Sequence, residues 1–277
     1  MKPKISIIIP CYNQGLFLKE ALESVQQCDK ALYELIIVND GSTDDYTNRY
    51  TKELANQGYH VVFQDNKGLA GARNAGIKQA SGDYILPLDS DNKVRNEYLT
   101  RAIEVFESNS DIAVVYGNAL YFGERAGIWK VGEFNLQRLM LYNYIDACAV
   151  IRKSVLEKTG LYDTEMEKQC LEDWDLWLRI GFAGYEFQYI DEILFDYRIV
   201  HNSMSKIFTR TYANPNLIEK YIHSKYPKRM GHEWIVKHYV GRFKKNPFLF
   251  TGKLILRTYF HGYYKRLLNK NKIRSGL

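Results

Sequence analysis

Short β-branched runs and helical stripes alternate over the first 116 residues of the chain. Ile5–Ile9, Leu35–Val38, His60–Phe63, Tyr84–Leu88 and Ile112–Val115 are apolar with no alternating polar face, the pattern of strands buried on both sides. Leu18, Ala21, Leu22 and Val25 recur at i, i+3, i+4 and i+7, the apolar stripe of a helix, and Leu69–Ala80 and Asn96–Glu107 predict two more. Strands alternating with helices predict a doubly wound, mostly parallel α/β sheet with flanking helices. Ligands of such sheets bind beyond the carboxyl ends of the strands, so the residues that follow each strand matter most.

Polar clusters end four strands: Pro10-Cys11-Tyr12-Asn13 after the first, Asn39–Asp44 after the second, Asp65–Gly68 after the third and Asp89–Asn92 after the fourth. From 117 to 205 the alternation fades. A strand at Ala147–Ile151, a helix over Glu172–Gly181 and short strands at Phe187–Ile190 and Leu194–Tyr197 are expected there. Beyond 205 the pattern is helical, broken near Pro227 and Pro247, and forms a C-terminal appendage.

Charge sharpens this division. The 277 residues carry +6 overall, but residues 1–205 hold 21 Lys/Arg and 30 Asp/Glu, whereas 206–277 hold 17 and 2. An acidic body of −9 therefore precedes a basic tail of +15. No run of 18 apolar residues occurs, which argues against a membrane span, and no apolar leader opens the chain. Cys11, Cys28, Cys148 and Cys170 form no CxxC pair, so a zinc site or disulfide framework is not expected, and a reduced cytoplasmic setting is.

Several strand-end residues offer chemistry. Asp89 and Asp91 lie two apart on a turn, where both carboxylates can face one hard cation such as Mg2+ or Mn2+ and leave positions for phosphate oxygens; an Asx-turn with solvated acids is the alternative. Asp40 can accept from a base-edge N–H, or belong to a turn that caps the next helix. Arg73 can fork onto a phosphate, or sit on a solvated helix face. Asn66-Lys67-Gly68 also reads as a plain turn. Gly68, Gly71 and Gly76 lack the G-x-G-x-x-G spacing and GxxxxGK[ST] is missing, so dinucleotide-binding and P-loop readings fail.

Six segments taken together resemble family 2 glycosyltransferases of the inverting GT-A class: P-C-Y-N (10–13), V-N-D-G-S-T-D (38–44), Q-D-N-x-G-x-x-x-A-R-N-x-G (64–76), L-D-S-D (88–91), L-E-D-W-D-L-W-L-R (171–179) and Y-R-I-V-H-N-S-M-S (197–205). The resemblance covers about 1–205 and implies a catalytic domain there, with nucleotide-sugar binding over 1–116 and an acceptor part over 117–205. It implies that Pro10, Tyr12 and Asn13 border the nucleotide, that Asp40 reads the uracil edge, and that Asn66 and Arg73 lie along the base and diphosphate. Asp89, with Ser90, would approach the ribose. Asp89, Asp91 and His201 would hold Mn2+ or Mg2+. Asp173 would be the catalytic base, its proton affinity raised by Glu172 and Asp175; the alternative is three acids favouring a helix N-terminus. Glu172, Trp174 and Trp177 would flank the acceptor, although Trp174 and Trp177 also suit a core.

The resemblance thus implies a metal-dependent hexosyltransferase moving sugar from a UDP-sugar to a glycan, lipid-linked saccharide or glycoprotein. The processive signature QxxRW is absent, which favours one sugar per encounter. A sugar-nucleotide pyrophosphorylase lacks support, because no G-x-G-T-R occurs. A different class stays open: an inactive nucleotide-binding scaffold whose tail targets membrane or nucleic acid. In that tail Ile235, Tyr239 and Phe243, then Phe248, Ile255, Tyr259, Tyr263 and Leu267, form an apolar stripe among Lys and Arg. It could pack on the body, build a homo-oligomer, or lie on the anionic inner face of the membrane; no nucleic-acid module is recognised.

Overall fold

The computed structural model describes residues 3–166, 171–200, 221–222, 224–230, 240, 243–260 and 262–263. The chain divides into two compact units, Met1–Pro215 and Asn216–Leu277. The boundary expected at 205/206 lies outside the described residues.

The first unit is built on one nine-stranded sheet. Its first half is a βα repeat: β1 (Ile5–Cys11), α1 (Gly15–Gln26), β2 (Tyr33–Asp40), α2 (Asp45–Asn56), β3 (His60–Gln64), α3 (Gly68–Gln79) and β4 (Tyr84–Pro87). These strands run parallel in the order β3-β2-β1-β4, so the winding reverses beside β1. Ligands of open α/β sheets bind at such a reversal, where loops on either side splay apart. The expected α1 stripe is the buried one: Leu18, Ala21, Leu22 and Val25 all face the core.

One strand departs from expectation. β3 is the sheet edge, with His60 and Phe63 exposed, not a strand covered on both faces. Its apolar run is short, and a strand with one neighbour leaves the other side to solvent.

The second half of the sheet is mixed. After β5 (Lys93–Val94) and α4 (Asn96–Ser108) come β6 (Ile112–Gly123), β7 (Gly127–Trp129), α5 (Leu136–Leu139), β8 (Val150–Arg152), α6 (Lys153–Thr159), α7 (Glu172–Phe182) and β9 (Glu186–Ile199). β8 runs antiparallel to both β4 and β6, and β9 runs parallel to β6. The two short strands expected at 187–190 and 194–197 are one 14-residue strand. Its register slips opposite Gly117–Ala119, where Ile190 pairs with Gly117 but Ile193 with Asn118. Asn118 donates to Asp191 Oδ1 at 2.8 Å, so this bulge satisfies the polar residues that interrupt the apolar pattern.

Two loops at the reversal are locked by close approach. Gly15 N donates to Thr47 Oγ1 at 2.8 Å, joining the starts of α1 and α2. Gly41, at φ +66°, would place an added Cβ 2.5 Å from Asn66 N, so the chain turning out of β2 presses on the loop after β3.

In the second unit, α8 (Pro247–Tyr259) starts where the proline pattern predicts a break. Asn246 caps it by accepting from Leu249 N at 3.0 Å, and Pro247 opens its first turn.

Candidate active site

Each strand-end cluster lies at this reversal, but the side chains divide into those that shape the loops and those that remain available. Tyr12 follows β1 and is exposed. Asn13, the one described non-glycine residue with positive φ, is committed to the neighbouring loop: its Oδ1 accepts from Thr43 N at 2.7 Å and Asp44 N at 3.2 Å. It shapes the cleft by fastening two loops. Pro10 lies buried within β1 opposite Val38, two residues before Tyr12. Ser90 is buried, and its hydroxyl donates to Gln14 Oε1, holding the turn from within.

Asp40 ends β2 and is buried. Its Oδ1 accepts from Gln64 Nε2 at 2.6 Å and from Lys67 N at 2.9 Å, tying the end of β3 to the start of α3. The cap of α2 is Asp44, which accepts from Thr47 N at 2.8 Å. Asn66 is exposed and forms the expected turn, accepting from Gly68 N.

Arg73 is where the structure adds most. The solvated-face alternative is overturned, since the side chain is 1% exposed. Its Nη2 donates to Asp89 Oδ1 at 2.6 Å and its Nη1 to Glu172 Oε1, while Tyr162 lies under the guanidinium at 5.3 Å. Both arms of the expected phosphate fork are therefore occupied by carboxylates. The neighbouring Asn74 holds this platform through a reciprocal pair with the Tyr162 backbone, at 2.8 and 2.9 Å.

The Asp89–Asp91 turn is braced from the far half of the sheet. Arg198 on β9 donates from Nε to the Asp91 carbonyl at 2.9 Å and from its backbone N to Asn92 Oδ1 at 2.9 Å. Asp91 is half-buried, and burial followed by the charge of Asp89 pushes its pKa up to about 6. Arg73 offsets part of the Asp89 charge, whereas Asp91 carries a desolvated charge that a hard divalent cation would relieve. The two carboxylates fit such an ion as part of its shell. Among the described residues no group of three or more His, Cys, Asp or Glu could hold a metal, so further ligands would come from diphosphate oxygens, water or His201, which lies outside the described residues.

Asp173 is in the first turn of α7. Its Oδ1 accepts from Trp174 N at 2.8 Å and its Oδ2 from Asn143 Nδ2 at 2.8 Å. Its pKa is raised well above the usual carboxylate range by burial, then by Glu172 and Asp146, against the opposing charge of Arg73. Glu172 acts on it as expected. Asp175 is fully buried in an ion pair with Arg179 at 2.9 Å. The effective neighbour is Asp146, whose own carboxyl is pushed up to about 7 by burial and by Asp89.

The three residues expected to flank the acceptor all lie buried on this helix. Glu172 is 3% exposed and bound to Arg73, and Trp174 and Trp177 are fully buried. Their indole N–H groups donate to the Leu139 carbonyl at 2.6 Å and the Ile145 carbonyl at 3.2 Å. The tryptophans thus hold the 139–146 segment against α7, and that segment delivers Asn143 and Asp146 to Asp173. Sequence reasoning missed Asn143, Asp146 and the role of Arg198. Asp146 sits in the apolar run Tyr144–Ile151 as a lone acid, the one signal that could have marked it.

Comparison with known proteins places the chain in a family and a fold. Residues 6–160 match the family model described as Glycosyl transferase family 2. The glycosyltransferase TuaG of Bacillus subtilis, provisionally named for teichuronic acid biosynthesis, is 31% identical over 213 residues, 74% of this chain and 82% of that protein. Glycosyltransferase GlyA of Streptococcus pneumoniae is 28% identical over 233 residues, covering 76% of this chain, which spans only a third of GlyA's length. Among solved structures, S. aureus TarS 1–349 in complex with UDP-GlcNAc superposes with a TM-score of 0.62 at 21% identity, over 86% of this chain and 73% of TarS 1–349. The fold is therefore that of the GT-A glycosyltransferases, a mixed α/β sheet with flanking helices.

Proposed function

The chain belongs to glycosyl transferase family 2, and from that premise we propose that it transfers a sugar from a UDP-sugar to an acceptor hydroxyl, with inversion at the anomeric carbon and with Mn2+ or Mg2+ at Asp89 and Asp91. The observation that carries this reading is the bridge from Asp89 through Arg73 to Glu172, the residue next to Asp173. One buried guanidinium spaces a pair of donor-side acids from a candidate base, and displacement requires a base and a leaving group on opposite sides of the reacting carbon. The TarS complex with UDP-GlcNAc supports UDP as the carrier.

On this reading Tyr12, Asp40 and Asn66 surround the base, with Asn13 and Gly41 shaping the cleft around them. The ion, once bound, supplies positive charge to the departing diphosphate. Asp173, ionised, accepts the acceptor's hydroxyl proton as the oxygen bonds to the anomeric carbon. The bond from that carbon to the diphosphate oxygen breaks, and UDP leaves with the electron pair. A carboxylate with raised proton affinity is the better base for this step. The acceptor is a hydroxyl of a glycan, a lipid-linked saccharide or a glycoprotein, and a cytoplasmic setting would supply the nucleotide sugar.

Release of UDP from UDP-Glc, UDP-Gal, UDP-GlcNAc and UDP-GalNAc, with Mn2+ and with chelator, tests the proposal. One donor should turn over in a chelator-sensitive way. Asp91→Asn and Asp173→Asn should each lose ~100-fold or more while keeping the native circular dichroism. Full turnover by either folded variant sinks its assigned role, and turnover unaffected by chelator sinks the metal.

A further inference from the structure

The second unit exposes apolar side chains that its own helix does not cover. On α8, Phe248 is 90% exposed, Tyr259 77% and Ile255 47%, and Phe260 and Tyr263 beyond it are also exposed. Residues 248, 255 and 259 are spaced i, i+7, i+11, which at about 100° per residue puts them within a roughly 40° sector. Leu249 is exposed too, about 80° outside that sector on the side toward Lys253. Exposed Lys253 falls on the opposite side by the same count, and exposed Lys244 and Lys245 precede the helix. From Trp234 to Leu277 the chain has 11 Lys/Arg, nine aromatic residues and no Asp or Glu. A contiguous apolar face of this kind marks a contact surface.

Charge and shape select its occupant. Two copies meeting through this face would bring like-charged segments together, which disfavours a symmetric dimer. Nucleic acid would meet the cations, but Leu249 and Ile255 offer no ring for bases to stack on. A lipid surface satisfies both halves: anionic headgroups take the Lys side chains, and aliphatic and aromatic side chains enter the acyl boundary. A 13-residue helix is about 20 Å long, shorter than the roughly 30 Å hydrocarbon core, so it would lie along the surface. Asn246 and Pro247 start the helix without any lipid, so little folding entropy opposes docking.

We propose that α8 and the cationic chain around it dock the protein onto an anionic lipid surface, with the Phe248–Ile255–Tyr259 face in the headgroup region and Lys244 and Lys245, ahead of the helix, against lipid phosphates. This docking does not depend on the transfer reaction, so it can fail without the proposed activity failing.

Co-sedimentation of the full chain with phosphatidylcholine vesicles, with and without about one-third phosphatidylglycerol, tests it. At about 0.1 M salt the chain should prefer the anionic vesicles by ~10-fold or more, and about 0.5 M salt should remove most of that preference. The triple variant Phe248→Ser/Ile255→Ser/Tyr259→Ser should lose binding. Lys244→Glu/Lys245→Glu should weaken it by ~10-fold or more, with wild-type circular dichroism and melting. Equal partition onto both vesicle types, or no partition, overturns the proposal. So does displacement from vesicles by an equal mass of duplex RNA. An apolar-face variant that changes a dimer to a monomer by light scattering, yet still binds vesicles, also overturns it and assigns the face to a second copy.

Discussion

Arg73 on α3 and Glu172 on α7 are 99 residues apart in sequence and form a fully buried ion pair, with the other guanidinium arm on Asp89. The contact ties the βα half of the sheet to the helix that carries the candidate base. Arg73→Met should therefore destabilise the protein by about 3–5 kcal/mol, because two carboxylates lose their counter-ion. Arg73→Met/Glu172→Leu should recover part of the loss. Denaturant unfolding of both variants gives the coupling; equal stability of Arg73→Met and wild type would contradict the pairing.

The raised proton affinity of Asp173 fixes the direction of the pH profile. Burial and Glu172 favour its protonated form, so the base is lost as pH falls through its elevated pKa, and kcat/KM should decline on the acid side well above the range of an ordinary aspartate. The profile under saturating metal checks this. An acid limb near pH 4 would place the group elsewhere.

Asn143 donates to Asp173 Oδ2, which favours the ionised carboxylate. Asn143→Ala should move the acid limb to higher pH and lower kcat by about 10-fold, with donor KM little changed. A purely structural role would instead lower the amount of folded enzyme without moving the limb.

Asp146 affects stability with a definite sign. Its folded-state pKa of about 7 lies above its unfolded value of about 4, so the native state binds the extra proton. Its contribution to stability is present below about pH 4 and is lost as pH rises through 7. In chelator, Asp146→Asn should be nearly neutral near pH 4 and should stabilise the protein by up to about 4 kcal/mol at pH 8, read as a rise in Tm. Destabilisation at pH 8 would show that the ionised form makes a favourable contact.

Sequence alone determined what local pattern encodes. Leu18, Ala21, Leu22 and Val25 could face only one core, and the β-branched runs of β1, β2 and β4 could be covered only by helices on both sides. The acids at the strand ends were visible because polar clusters follow buried strands, although each cluster also read as a local turn or cap. α2 was legible only as a capping signal, since its buried face is Thr47, Thr51 and Leu54 rather than an apolar stripe. The exposed edge at β3 and the union of two short runs in β9 depended on neighbouring strands, which local periodicity does not contain.

Tertiary structure decided the partner of each charge. Arg73 has one side chain and several chemically reasonable uses, and only the meeting of α3 with α7 assigns it to Asp89 and Glu172. Trp174 and Trp177 change from acceptor candidates to buried anchors because their indoles meet carbonyls 35 and 32 residues away. Asn143 and Asp146 gain significance only where that anchored segment reaches Asp173. Hydrophobic patterning is a local property repeated along the chain, whereas charge pairing and proton affinity depend on distances across the fold. The fold class was therefore legible in the sequence, and the division of labour among its charged residues was not.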